Sequence, residues 1–511
     1  MVARWSVIIP SVPIKLVACA LALLLIDSCF AASLYSFHQI AVANSGVVRA
    51  FNSSANTGAR RPLDGPLRAL PRNPRYFTNR SGRAIFLAGS HTWANMLDVG
   101  DSDPPSAFDF DAYLDFLHNH NQNFFRLWTC SLPHATEVWL AIGRNIFCDP
   151  FPWQRTGPGN ATNGKPRFDL TKFNQAYFER LRSRAISAGE KGMYVSVMLF
   201  DGFGIQFDRH SNDGYPLDEG NNINGITAPG TTSQDLTRPA VTAVQDAYVR
   251  KVIETVNDLD NVLYEVVNEA GPYSTEWQYH MIDLVKDHEA AMPKQHPVGM
   301  TFQYKGGTDE TLYSSRADWV SPSAPLPPEA TGHQVVINDT DHSLYYTGLQ
   351  SAGLAGQRAW AWENFARGNN LAFMDPYLDV WPGRNAPIGN KVDPYWEEIR
   401  TTLGDIRNFA DRINLLDMVP RHDLVIGGGF CMASPGAQYL VYQPSGKGPV
   451  DRIVRWLAGN TFVLKTVPGI YAYEWFNPSS HSVVETGTIA VVTRQTFTAP
   501  FSGSAVLWLH Q

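Results

Sequence analysis

From Arg75 onward, short and almost uninterrupted apolar runs alternate with longer amphipathic stretches. The runs are Ala84–Ala88, Phe124–Trp128, Tyr194–Phe200, Val262–Val267, Val298–Phe302, Asp318–Val320, Gln334–Ile337 and Leu371–Met374. Apolar on both faces rather than alternating, they read as strands of a buried parallel sheet. The stretches between them carry helical periodicity. Asp111–His118 places apolar residues at 113, 114, 116 and 117. Asn174–Lys191 aligns Phe178, Leu181, Ala185 and Ala188, and Val241–Leu259 is similarly two-faced. Eight strands with intervening helices predict an α/β fold, a (β/α)8 TIM barrel over residues 71–419. An open doubly wound sheet is the competing architecture, but no glycine-rich phosphate turn follows any of the runs.

Beyond about Pro420 the pattern changes. Leu424–Ile426, Ala437–Tyr442, Val463–Leu464, Tyr471–Phe476 and Ala505–Leu509 are short runs separated by Gly, Pro and Ser turns. They predict a small C-terminal antiparallel β-sandwich over 420–511. Residues 33–70 are polar, rich in small side chains and without period, which reads as a linker. Before them, Arg4 and Lys15 flank and enter an apolar stretch ending at Ile26, followed by Ser28, Cys29, Ala31 and Ala32. A cationic start, an apolar core and a small-residue site describe a secretory signal over 1–32, cleaved after Ala31 or Ala32. The competing reading is an uncleaved anchor, because the apolar character approaches the ~20 residues that span a bilayer. The predicted location is therefore secreted, periplasmic or at the cell surface, with a membrane contact only if the segment stays attached.

Composition narrows the class. The 511 residues are 44% apolar, 12% aromatic and 17% charged, with a formal net charge of −7. Such a chain is not disordered, and its acidity argues against a partner bound by phosphate neutralisation, so no nucleic acid is expected. Of the five cysteines, Cys19 and Cys29 fall in the targeting segment. Cys130 and Cys148 read either as a disulfide of an exported protein or as two buried thiols. His288-Glu289 begins like a metalloprotease helix, but Met292 stands where the second His belongs. No metal or cofactor is expected. Sequons stand at Asn52, Asn79, Asn160 and Asn338.

In a TIM barrel, chemistry sits at the carboxyl ends of the strands. Reading those ends gives His91, Trp93 and Asn95 after the first strand, Arg126 and Trp128 at the second, and Asp201 after the third. Asn268-Glu269 follows the fourth, Asn338-Asp339-Thr340-Asp341-His342 the seventh, and Asp375-Pro376-Tyr377 the eighth. Strands four and seven face each other across the mouth. Carboxylates on both can flank one glycosidic bond, one protonating the leaving oxygen and the other attacking or activating water. Each residue alone also has a structural reading as a helix cap, a turn or an ion-pair partner. Their joint placement is the stronger signal.

Val266-Val267-Asn268-Glu269 resembles clan A glycoside hydrolases, in which the Glu of this position is the acid/base. In that clan the nucleophile ends strand seven, and Val335-Val336-Ile337-Asn338-Asp339 puts Asp339 in that slot, with Asp341 as competitor. The clan usually carries Glu there, one methylene longer. More narrowly, Arg75-Tyr76-Phe77-Thr78, Gly89-Ser90-His91-Thr92-Trp93, Arg155-Thr156-Gly157-Pro158-Gly159, Phe168-Asp169-Leu170, Asn338-Asp339-Thr340-Asp341-His342 and Phe373-Met374-Asp375-Pro376-Tyr377 are similar to exported apiosidase-like, cellulase-like barrels. The tail, with Ala433-Ser434-Pro435-Gly436-Ala437 and Phe501-Ser502-Gly503, resembles a module described as collagen-binding. The resemblance implies an exported glycoside hydrolase acting on a poly- or oligosaccharide. Glu269 would be its acid/base, and Asp339 or Asp341 its nucleophile or base. His91, Trp93, Asn95, Arg126, Trp128, Asp201, Asn268 and His342 would contact the carbohydrate, with Trp93, Trp128 and Trp277 as stacking candidates. The competing expectation is a non-catalytic carbohydrate- or matrix-binding protein on the same scaffold.

Overall fold

The computed structural model describes residues 63–135, 145–206, 213–303, 306–323, 329–343, 345–379, 389–390, 393–445 and 460–511. The predicted targeting segment and most of the predicted linker lie outside them. Among the described residues, no helix is long and apolar enough to cross a membrane.

Eight parallel strands close into a barrel: β1 (Ala88–His91), β2 (Phe124–Leu127), β3 (Tyr194–Asp201), β4 (Val262–Asn268), β5 (Val298–Thr301), β6 (Trp319–Ser321), β7 (Val335–Asp339) and β8 (Asn370–Met374). All eight predicted runs contribute a strand. The first is shifted: the ladder begins at Ala88 rather than Ala84, and Ile85 instead bridges Phe77. The shift makes His91 the last residue of β1. Around the barrel run α1 (Phe110–Asn119), α2 (Gln175–Glu190), α3 (Pro239–Val256), α4 (Thr275–Ala290), α5 (Asp309–Tyr313), α6 (Thr340–Ser343), α7 (Tyr345–Ala366, kinked at Gly353) and α8 (Glu397–Arg412). Asp109 caps α1 and Asn174 caps α2 by accepting from backbone N–H groups, which satisfies donors that a helix start leaves unpaired.

The two-residue period of a strand sorts the barrel side chains. Phe124, Tyr194, Leu263, Trp319, Val335, Ile337 and Ala372 form one buried cluster inside the barrel, joined by Leu67 and Phe77 from the segment before β1. Two residues further along three of these strands stand Arg126, Glu265 and Asp339. A charged layer therefore rests directly on an apolar one. The alternate positions, such as Phe125, Val195, Tyr264, Val320 and Val336, face the helices in a second cluster.

The C-terminal residues form two packed sheets. Six strands order as Val419–Pro420, Phe430–Ser434, Gln438–Gln443, Ala505–His510, Gly469–Asn477 and Ser482–Val491, and three as Val425–Ile426, Thr461–Lys465 and Arg494–Thr498. The predicted sandwich is present, and it holds four strands more than the apolar runs indicated. Ser482–Val491 escaped because nearly all of it is exposed or half-buried, paired to Gly469–Asn477. Alternation again divides the sheet's faces. Cys431, Ala433, Tyr439 and Val441 fill the space between the sheets. Met432, Leu440, Tyr442, Phe476, Val506 and Trp508 instead share a cluster with Trp362, Phe365, Ile406 and Phe409 of α7 and α8. Trp362 is fully buried there, stacked on Tyr442 at 6.1 Å and edge-on to Phe365 and Phe409.

Trp362 thus ties barrel helices to the C-terminal sheet. Trp362→Ala is expected to cost about 3–5 kcal/mol, as for a large buried aromatic. Differential scanning calorimetry should show the wild type melting in one transition and the variant at lower temperature with the C-terminal sheets uncoupled. An unshifted single transition would contradict this account of the interface.

Candidate active site

The carboxyl ends of β1, β2, β4 and β7 converge on Arg126. Its side chain is 4% exposed. Nε donates to Glu265 Oε2 at 2.8 Å and Nη1 to Asn268 Oδ1 at 3.1 Å, both on β4. Nη2 pairs with Asp339 Oδ2 at 2.9 Å, and Nη1 stands 3.7 Å from Asp341 Oδ2. A guanidinium presents its donors in a fixed plane, so one side chain can serve several strands at once. Burial opposes its charge, but Glu265, Asp339 and Asp341 outweigh burial and hold it protonated.

Asp339 is the last residue of β7. His91 Nε2 lies 3.0 and 2.9 Å from its two oxygens, and Asp341 N donates to Oδ1 at 2.9 Å. Burial would raise this carboxyl, but His91 and Arg126 overcome it and hold it well below the usual range. It is an anion. The same Asp339–Asp341 contact turns the chain into α6, which brings Asp341 and His342 back toward the mouth. Burial, then Glu269 and Asp339 as like charges, push the Asp341 carboxyl well up. His342 is driven down to about 3 by burial, so it is neutral. Its Nδ1 faces Ser321 Oγ at 3.0 Å, and Nε2 donates to Asn268 Oδ1 at 2.8 Å. Asn268 Oδ1 therefore accepts from both Arg126 and His342, and its NH2 is left to face Asp341.

Glu269 follows β4 with φ +48, a left-handed backbone that is costly for any residue but glycine and is found where structure over-determines it. Gly202 makes room: a Cβ there would lie 2.4 Å from the Glu269 carbonyl oxygen. Gln206 Nε2 donates to Glu269 Oε2 at 2.7 Å. Burial pushes the carboxyl up to about 7, with Asp201 and Asp339 adding to the rise. Asp201 is itself raised to about 6, mainly by burial, although Ser131 N donates to it at 3.2 Å. The site therefore holds one firm anion, Asp339, beside Glu269 and Asp341, whose carboxyls keep a proton nearer neutral pH.

The other predicted residues are placed as follows. Asn95 is buried and braces β2, donating to Arg126 O at 2.9 Å and accepting from Trp128 N at 2.6 Å. Trp128 is 3% exposed, beneath the Arg126 guanidinium and beside His91; Trp93 packs on Trp128 and Phe203. Trp277 lies in the core of α4, edge-on to Phe200, its Nε1 bonded to Gln245, so it offers no stacking surface. Asp375 is engaged by Arg400 through two bonds of 2.7 and 2.6 Å and anchors α8. Cys130 and Cys148 are buried free thiols, Cys148 Sγ donating to Cys130 Sγ at 3.3 Å rather than forming a disulfide. The Asn338 sequon is fully buried, its amide bonded to Asn364 at 2.6 Å, so the folded protein cannot present it. Sequence reading missed Glu265 and Gln206. Glu265 carried a signal, a lone carboxylate in an otherwise apolar strand; Gln206 carried none. Among the described residues, no group of three or more His, Cys, Asp or Glu side chains is placed to hold a metal ion.

The fold is that of glycoside hydrolase barrels. A glycoside hydrolase family 5 protein from Bacteroides vulgatus superposes with a TM-score of 0.55 at 12% identity, covering 88% of this chain and 94% of that one. A second B. vulgatus protein, described as a glycoside hydrolase, gives 0.59 at 13%, over 87% and 82%. A further glycoside hydrolase gives 0.54 at 10%, over 88% and 97%. Coverage this large takes in the C-terminal sheets as well as the barrel. In sequence, residues 144–314 match a family model described as a domain of unknown function, DUF6298. No curated protein matches the sequence.

Arg126→Met should leave the interior carboxyls without their cation and cost about 3–5 kcal/mol at pH 8. Without Arg126 the carboxyls would ionise only well above their unfolded values, so the folded variant binds more protons than the unfolded chain. Its stability should therefore fall as pH rises from about 5 to 8. Urea unfolding at the two pH values checks this; a penalty that is equal at both would contradict the electrostatic role.

Proposed function

We propose that this protein is an exported glycoside hydrolase that cleaves O-glycosidic bonds in a poly- or oligosaccharide, with Glu269 as acid/base and Asp339 as the opposing carboxylate. The observation that carries the reading is the split in protonation around Arg126. Environments that push two facing carboxyls apart, one to about 7 and one well below its ordinary value, are what acid–base cleavage requires. Glu269 arrives protonated and gives its proton to the leaving oxygen. Asp339, anionic, stabilises the positive charge that develops on the sugar ring, and then attacks or directs water. Asn268, oriented by the two donors on its oxygen, offers a sugar hydroxyl the amide hydrogen that is not turned to Asp341.

Asp341 is the competing second carboxylate, since it lies on the same turn after β7 with Arg126 3.7 Å from its Oδ2. Export rests on the segment 1–32, and the narrower likeness to apiosidase-like barrels places pentosides beside hexosides among substrates to test. The collagen-binding resemblance of the tail makes collagen a second ligand to screen.

A panel of aryl glycosides and polysaccharides supplies the test. Glu269→Gln should keep the fold and lose about 10²–10⁴-fold in kcat. Asp339→Asn should lose as much, and Asp341→Asn less; the reverse order would move the second role to Asp341. Binding without turnover across the panel would instead favour the non-catalytic scaffold.

The pH profile gives an independent check. An acid with a free-enzyme value of about 7 is protonated below it, so kcat/KM should fall as pH rises through about 7. Asp339 stays ionised far into the acid range and sets no limit near pH 5. An activity that instead climbs above pH 7 would rule out Glu269 as the acid.

A further inference from the structure

The aromatic rings nominated for sugar stacking are packed away, and the ring that faces solvent is a different one. Among the described residues, Tyr273 is the large aromatic side chain on the surface, 88% exposed. It lies four residues after Glu269, in the turn that links β4 to α4 at the carboxyl end of the barrel. Its backbone has φ +61, in the left-handed region that a bulky side chain avoids. Two costs therefore coincide at one residue. The aromatic surface is left in water, and the backbone is held where glycine would sit without strain.

The turn is held by buried groups. Gly271 N donates to Gln234 Oε1 at 2.6 Å, and Ser274 Oγ donates to Gly271 O at 2.7 Å. Ala270 bridges Gln303, whose Oε1 accepts from Thr275 Oγ1 at 2.9 Å. Tyr273 is thus aimed by the fold rather than left to wander. Its ring lies near Gly306, where even an added Cβ would stay 3.9 Å away. No side chain at that position crowds the ring.

We infer that Tyr273 is a carbohydrate-stacking platform at the rim of the mouth, taking the apolar C–H face of a sugar unit one or more residues from the bond held at Glu269. This rests on the proposed glycoside hydrolase reading and adds to it: the substrate would be a chain of sugars rather than a monoglycoside. A flat ring exposed on a rigid turn buries the C–H face of a pyranose or furanose at little conformational cost.

The test compares Tyr273→Ala, Tyr273→Trp and Tyr273→Gly with the wild type on an oligosaccharide series and an aryl monoglycoside. Tyr273→Ala should raise KM on the longer oligosaccharides by about five- to tenfold, more than on the monoglycoside, with kcat much less affected. Tyr273→Trp should restore KM. Tyr273→Gly should lose the same affinity while raising the melting temperature by about 1 °C, because the strain relieved exceeds the flexibility gained. Hydrolysis whose KM is indifferent to all three variants would overturn the platform and leave the glycosidase reading standing. Retention on immobilised polysaccharide that depends on Tyr273, without hydrolysis by any form, would uphold the platform and overturn the glycosidase reading.

Discussion

One buried cation organises the centre of this barrel. Arg126 leaves β2 inside a closed ring of strands, where an unpaired carboxylate could not remain ionised. Through Glu265 and Asn268 it holds β4, and through Asp339 it holds β7. The same three contacts fix the relative height of strands that lie on different sides of the mouth. There is one guanidinium for Glu265, Asp339 and Asp341, with Glu269 close by. Charge must therefore be distributed unequally. Asp339 takes the negative charge because His91 and the Asp341 N–H also serve it. Glu265 and Glu269, pushed to about 7 chiefly by burial, are left to hold protons near neutrality. The asymmetry that the proposed acid–base chemistry would use follows from burial together with too few cations.

That layer exists because of what lies beneath it. The strand period that sends Phe124, Leu263 and Ile337 inward sends Arg126, Glu265 and Asp339 inward two residues later. The apolar layer is dense, with Trp319 occupying the space that Gly299 leaves by having no side chain. Dense packing below excludes water from the floor of the charged layer. Low polarity then strengthens each contact of Arg126 and raises the cost of any second anion. Gly202 performs a related service at the rim by letting the β3 end approach Glu269.

Most of this architecture is legible in the chain because parallel strands buried on both faces are written as apolar runs. All eight could be read, and with them the strand ends that carry His91, Arg126, Asn268-Glu269 and Asp339. What was not legible depends on contacts remote in sequence. Glu265 was visible as an oddity, but its partner 139 residues away was not. Apolar pattern cannot tell a buried ring from an exposed one, so Trp277 and Tyr273 look alike in the chain although one is fully buried and the other exposed. Polar strands at the outer edge of the C-terminal sheets lack the period that burial imposes. Ser482–Val491 was lost for that reason.

The C-terminal sheets also bear on the mouth, through packing rather than by contributing a residue to it. Their inner face, from Met432 to Trp508, covers α7 and α8 with a continuous aromatic cluster. From α8, the fully buried Arg400 reaches Asp375 with two charge-assisted bonds. Asp375 N in turn donates to the backbone carbonyl of His91 at 2.7 Å. His91, together with Arg126, keeps Asp339 anionic. A chain of contacts therefore runs from the sheet, through α8 and the end of β8, to the backbone of His91 at the end of β1. Its links are close packing, an ion pair and a backbone hydrogen bond, all between buried residues. On this argument the sheets are part of the barrel's structure near the site, whatever else their outer surface binds.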